Sequence, residues 1–93
     1  MRIGVLRTYF QIPGAHSLKE KRRVIRSIKD RLYSQFNVSV AEIGSNDVWQ
    51  AGELGVVTVG NERRHVESVM QKVMNFVDVA DGIRVIECDI EII

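Results

Sequence analysis

The segment PGAHSLKEKRR, residues 13–23, combines a turn, a histidine and four lysine or arginine side chains. Free N–H groups at a helix N-terminus, together with nearby cations, can hold a phosphate, which makes His16 and Ser17 a candidate anion site. Ser17 and Glu20 also have the spacing of a capping box, in which the serine oxygen accepts from the backbone of residue 20 and the glutamate reaches back to Ser17. That box would occupy the donors, so the sequence favours a capped helix over a bound phosphate. His16 has no carboxylate or nucleophile beside it in sequence and is expected to be a loop residue rather than a catalyst.

Five cations share one flank of the helix that follows. At about 100° per residue, the side chains on this flank are Lys19, Arg22, Arg23, Arg26 and Lys29. Such a stripe is an electrostatic footprint suited to nucleic-acid phosphates. A solvated surface that pairs with acids elsewhere in the fold explains it equally well, and both interpretations stay open here. Lys21 points into the apolar side of the helix instead, and we expect its ammonium to reach the rim and meet a carboxylate such as Asp47.

Trp49, the only tryptophan, lies in the polar segment SNDVWQ, residues 45–50. An exposed indole there could stack on a base or anchor a protein partner. Large aromatic side chains are mostly buried on average, so the favoured role is a cap over the end of the core.

The acidic side chains of Glu87, Asp89 and Glu91 alternate near the C-terminus and face the same way if the segment is a strand. At roughly 7 Å spacing they are too far apart to chelate one ion. We expect them to pair with Arg7 and Arg2 on a neighbouring strand or to protect an exposed strand edge.

Motifs of known enzyme classes are absent: the chain has no P-loop, GxSxG, HExxH or CxxC sequence. Cys88, His16 and His65 do not have metal-ligand spacing. We therefore expect a protein that is not an enzyme and that requires neither a metal nor a cofactor.

The elements that position these residues follow from periodicity. Apolar residues at helical spacing predict a first helix over residues 18–36, and a second such pattern follows Asn61 as N-cap and ends at Gly82. Runs of β-type residues predict strands over 2–12, 37–44, 52–60 and 83–93. In the last strand, Ile86, Cys88, Ile90 and Ile92 are expected to share one face.

The resulting order β-α-β-β-α-β predicts an α+β fold, a ferredoxin-like sandwich of a four-stranded antiparallel sheet with both helices on one face. Strands one and three are then central. The loop at 13–17, the start of the first helix and the turn at 45–50 should lie on one rim. The outer face of the sheet carries many apolar residues, which predicts a homodimer through the open sheet face.

Length and composition indicate a single domain over residues 1–93, with 45% hydrophobic residues. No apolar run approaches the roughly 20 residues needed to cross a bilayer, and no signal peptide is recognisable, so we expect a cytoplasmic protein without membrane contact. The net charge of +1 is unevenly distributed. Residues 18–31 carry seven basic and two acidic groups, whereas residues 78–93 carry one basic and five acidic groups.

A family resemblance rests on IPGAHSLKEKRRVI, FNVSVAEI, LGVVTVGN and the combination of Asp47, Trp49 and Gln50. These segments resemble the YlxP-like family of small bacterial proteins, a domain of unknown function, over essentially the whole chain. The resemblance implies a ferredoxin-like fold without an established activity. Genes of the family tend to lie among those for transcription elongation, translation initiation and ribosome maturation, which favours RNA or a ribosomal subunit as partner by association.

The leading hypothesis is a non-enzymatic accessory protein that binds ribosomal or other structured RNA through the five cations, with Trp49 as a stacking or partner contact. The alternative is a protein-interaction module or homodimer whose basic helix meets an acidic partner. A third hypothesis, a phosphate-handling enzyme centred on His16 and Ser17, is disfavoured by the capping box.

Overall fold

Six elements follow the predicted order in a computed structural model that describes all of residues 1–93. Their bounds are β1 Arg2–Gln11, α1 Leu18–Gln35, β2 Ser39–Gly44, β3 Ala51–Gly60, α2 Arg63–Asp78 and β4 Arg84–Ile92. The strands form one antiparallel sheet in the order β2-β3-β1-β4. This is the ferredoxin-like α+β layout, and the prediction that strands one and three are central is confirmed.

The core lies between the helices and the inner face of the sheet. Alternate residues of the two central strands are fully buried there, among them Leu6, Phe10, Leu54 and Val56. The helices add Ile25, Ile28, Leu32, Val66, Met70, Val73 and Val77. At Gly4 of β1 an added Cβ would lie 2.7 Å from side-chain carbons of both Val66 and Met70, so only glycine allows α2 to approach the strand this closely.

The helix starts differ in detail from the predictions. Ser17 caps α1 as predicted, accepting from the Glu20 backbone N–H at 3.1 Å, but the Glu20 carboxylate accepts from the backbone N–H of His16 rather than that of Ser17. Glu62, not Asn61, is the N-cap of α2, and its side chain forms no capping hydrogen bond. The burial of Val66 against β1 fixes where α2 begins, and this outweighs the local preference for asparagine at the cap.

Both edge strands are irregular. The register of β2 against β3 shifts between Glu42, which opposes Leu54, and Gly44, which opposes Glu53. The register of β4 against β1 shifts between Tyr9, which opposes Glu87, and Phe10, which opposes Val85. Ile86 is the extra residue of this bulge and is 47% exposed, so the prediction that it shares the inner face with Cys88 is wrong.

Neither helix has the length and apolar character that crossing a bilayer requires.

Candidate nucleic-acid interface

The loop before α1 and the turn between β2 and β3 lie on one rim of the molecule. The Ile12 backbone N–H donates to the Gln50 carbonyl at 2.8 Å, and the Gln50 side-chain amide donates to the Ala15 carbonyl at 3.3 Å. The rim predicted from the topology is therefore present, and it carries the start of α1 beside residues 45–50.

Lys21 connects α1 to this turn from within. Its side chain is only 2% exposed, and its ammonium donates to the Ser45 carbonyl at 2.5 Å and to the Val48 carbonyl at 2.6 Å. Glu42 completes the site, with Oε2 at 3.2 Å from the ammonium and no other polar partner for that buried oxygen. Asp47 is exposed and is not the partner that the sequence suggested, because Glu42 faces the helices from β2 whereas Asp47 faces solvent.

The turn to which Lys21 donates contains one residue in an unfavourable backbone conformation. Ser45 adopts a φ of 58°, in the left-handed region that favours glycine. Its carbonyl accepts from both the Lys21 ammonium and the Val48 N–H, which keeps the turn in this conformation.

Trp49 is 46% exposed, so the prediction that it caps the core is wrong. That end of the core is already filled by Ile12 and Ala15, which are 1% and 2% exposed, and by the stem of Lys21. The indole therefore lies exposed on the rim. The preceding residue, Val48, has the carbonyl that accepts a hydrogen bond from Lys21.

The five predicted cations form one continuous surface on α1, called here the basic face: Lys19, Arg22, Arg23, Arg26 and Lys29. One hollow of about 280 Å³ is lined solely by Lys19, Arg22, Arg23 and Arg26. A second hollow of about 350 Å³, which Arg22 and Arg26 also line, reaches Lys29, Asp30 and Tyr33. Lys29 is half-buried and the other four cations are exposed.

No member of the basic face forms an ion pair. The two ion pairs of the chain join Lys21 to Glu42 and Arg63 to Glu67. The ion pairs that one of the two interpretations of the stripe supposed are therefore not formed, and the acidic residues Asp30 and Glu42 line the same hollow as Arg22, Arg26 and Lys29.

His16 and Ser17 are adjacent to Lys19, but the capping box uses their polar groups. Ser17 Oγ is bonded to the Glu20 N–H, and the Glu20 carboxylate lies on the backbone N–H of His16. A phosphate at this position would meet a carboxylate, which agrees with the capped helix that the sequence favoured.

Tyr33 is a residue that the sequence reasoning missed. It lines the hollow that contains Lys29, and it is 48% exposed. The signal was available, since Tyr33 follows Arg26 and Lys29 at helical spacing of seven and four residues and therefore lies on the same flank.

The acidic side chains of β4 lie on an edge strand, as one of the two expectations requires, but they do not form the ion pairs of the other expectation. Arg7 lies opposite Asp89 in the register, yet no carboxylate comes within 4 Å of its guanidinium. Arg2 lies on the helix side of β1 and does not share a face with these acids.

No group of three or more His, Cys, Asp or Glu side chains has an arrangement that could hold a metal ion.

Comparison with known proteins gives a family and no activity. Residues 3–90 match the model of a family described as "Protein of unknown function (DUF503)". The chain is also 44% identical to the "Uncharacterized protein YlxP" of Bacillus subtilis (strain 168) over 67 residues, which cover 72% of this chain and 73% of that protein.

Proposed function

Because the chain belongs to the DUF503 family, whose description assigns no activity, we propose its function from its surface: a cytoplasmic, non-enzymatic accessory protein that binds structured RNA, such as ribosomal RNA, through the basic face of α1.

The observation that supports this proposal most strongly is the unneutralised charge of the basic face. Four of its cations line one hollow with no acidic residue among them, and none of the five has a carboxylate within ion-pair distance. Lys19 and Lys29 are ten residues apart, or about 15 Å along a helix, which is enough to meet successive phosphates of one strand. When RNA phosphates bind there, the counterions condensed on the RNA are released. The affinity for RNA should therefore fall steeply as the salt concentration rises.

The exposed indole of Trp49 supports a preference for RNA that contains unpaired bases. Its exposed ring stands on the rim beside the start of α1, and Lys21 fixes the turn that carries it. Unstacked bases in RNA loops are recognised by stacking on aromatic side chains, whereas the deep groove of a duplex hides its base edges. A loop whose backbone lies on the basic face could therefore place a base against the indole.

The test is fluorescence anisotropy with ribosomal RNA fragments that contain loops, and with an unrelated duplex, at low and near-physiological salt. The double variant R22E/R26E should lose binding, because two phosphate contacts become repulsive. The matched control is R64E/K72E, which changes the net charge equally on exposed positions of α2 and should retain most of the affinity. Circular dichroism checks that both variants fold.

Unchanged affinity of R22E/R26E, or an equal loss in both variants, would refute the assignment to the basic face. The fluorescence emission of Trp49, the only tryptophan, can be followed in the same titration. Stacking of the indole on a base should quench this emission. If no RNA binds even at low salt, the basic face is better explained by an acidic protein partner.

A further inference from the structure

The sheet has an outer face that no element of the chain covers. Both helices lie on the other side, and near one end the outer face presents Val57, Val59 and Ile93, which are 38%, 56% and 61% exposed. Ile3 and Val5 of β1 lie between them, opposite Val59 and Val57 in the register. The centre of the sheet is thus apolar on both faces.

Arg7 lies next to this apolar patch without an ion pair. It lines a hollow of about 210 Å³ together with the side chains of Glu53, Glu87 and Asp89, none of them within 4 Å of its nitrogens. Glu53 uses one carboxylate oxygen to accept from the Ser45 hydroxyl at 3.1 Å, and the other oxygen has no hydrogen bond within the chain.

We propose that a second copy of this chain covers the outer face, in a two-fold dimer whose axis runs along the strands between β1 and β3. This interface is separate from the basic face and does not rest on RNA binding. About such an axis, β1 of each copy lies over β3 of the other at the same level. Val5 then meets Val57 of the second copy, and Ile3 meets Val59 of the second copy.

The same geometry provides a partner for Arg7. Arg7 lies over Gly55 of the second copy, beside the Ile43 side chain that leans toward that glycine, and Glu53 of the second copy is two residues away on the same face. A two-fold axis repeats this contact, so the dimer contains two such ion pairs.

The acidic row of β4, which consists of Glu87, Asp89 and Glu91, favours an axis along the strands over an axis across them. With the axis along the strands, Glu87, Asp89 and Glu91 lie over β2 of the second copy, whose outward residues Ser39, Ala41 and Ile43 are uncharged. An axis across the strands would place the two acidic rows against each other, and like charges facing across an interface are strongly unfavourable.

The available area is sufficient for a specific dimer. Strands of ten, ten, nine and six residues, about 4.8 Å apart, give a face of roughly 550 Å² per copy and about 1,100 Å² in total. That total is just above the roughly 1,000 Å² that a biological interface should reach and below the standard size of stable interfaces. We therefore expect a reversible dimer whose population depends on concentration.

Sedimentation velocity on the full chain over a range of concentrations tests the proposal. The unmodified protein should dimerise, whereas R7E alone and E53R alone should be monomeric, because each then places like charges together twice. An equimolar mixture of R7E and E53R should dimerise again, since both contacts of the mixed dimer then join opposite charges. V57D should abolish the dimer, and V79D, a matched change at a position 78% exposed after α2, should leave it intact.

A monomer at every accessible concentration of the unmodified protein would overturn the proposal, as would a dimer that persists in R7E, E53R and V57D. Failure of the mixture to restore the dimer would overturn the pairing of Arg7 with Glu53, and with it the proposed axis. Circular dichroism of each variant separates loss of the interface from loss of the fold, and V57D tests the face should either charge variant fail to fold.

Discussion

Lys21 shows how one buried residue controls the position of an exposed one. Its ammonium has three protons, and three oxygens surround it: the carbonyls of Ser45 and Val48 and the carboxylate of Glu42. The sequence predicted its direction correctly, because helical periodicity places it on the apolar side. It could not predict the acceptors, since two of them are backbone carbonyls that carry no sequence signal.

Replacing Lys21 by methionine should destabilise the protein by about 2–4 kcal/mol, because a buried carboxylate oxygen of Glu42 loses its counterion. The lower part of this range is favoured, since the Glu42 side chain is 29% exposed and can be partly hydrated. Urea denaturation measures the loss. Steady-state fluorescence anisotropy of Trp49 should fall as well, because the turn is released from α1.

The control for K21M is K29M, which removes a lysine of the same helix that forms no ion pair. It should change the free energy of unfolding by less than about 0.5 kcal/mol. Equal stabilities of the two variants would show that the buried lysine does not hold the turn.

Cys88 is half-buried on β4, and burial raises the pKa of its thiol above the usual range. The charges of Asp89 and Asp78 raise the pKa further, while a hydrogen bond with Thr8 acts in the opposite direction. A raised pKa means that the folded protein keeps its thiol proton at a pH where the unfolded chain has lost it. The contribution to stability is complete below the unfolded pKa and declines as pH rises through the folded value.

The free energy of unfolding should therefore decrease in the alkaline range more for the unmodified protein than for C88A. Urea titrations at several pH values measure both slopes. Parallel slopes would mean that the thiol titrates alike in the folded and unfolded states.

At the scale of elements, Tyr33 protects the free edge of β2. Its hydroxyl donates to the Val40 carbonyl at 3.0 Å and accepts from the Val40 N–H at 3.3 Å, so both backbone groups of Val40 on the unpaired side of the strand are occupied. Unpaired groups on an edge strand are a template for pairing with another chain. A side chain of α1 thus closes part of an edge that the sheet leaves open.

Changing Tyr33 to phenylalanine removes both hydrogen bonds and should cost about 1–2 kcal/mol of stability. Light scattering during partial thermal unfolding should also show faster aggregation, because the strand edge is exposed. Y9F is the matched control, since the Tyr9 hydroxyl forms no hydrogen bond within the chain. Similar behaviour of Y33F and Y9F would refute the protective role.

Helix α1 ends within one residue of the predicted boundary, because its apolar stripe and its cap are both local signals. The bulge at Ile86 was not predictable, since it arises where β1 and β4 change register, and register depends on two distant segments. For the same reason the alternation in β4 was predicted correctly from Glu87 onward and wrongly at Ile86.

At the scale of the whole molecule, opposite charges are concentrated in different layers. The basic face belongs to α1, while the acidic row of β4 faces outward from the other side of the sheet. The connectivity and the handedness of crossovers predicted this arrangement of strands and helices. The five cations were predicted from spacing alone, but the absence of an ion pair to any of them depends on how all the elements assemble.

The exposure of Trp49 belongs to this scale too. The average burial of large aromatic side chains favoured a buried tryptophan, while the polar segment 45–50 also allowed an exposed one. Only the assembled fold reveals that Ile12 and Ala15 have filled the space first.

Because both helices lie on one side of the sheet, a dimer through the outer face has four layers, with the two copies of α1 outermost. Layers about 10 Å apart separate the two outer helices by roughly 30 Å. A short hairpin can then reach only one copy, whereas a longer RNA that bends round the particle can occupy both and gain from the high effective concentration of the second site. The dimer would thus distinguish RNA molecules by their reach as well as by their charge.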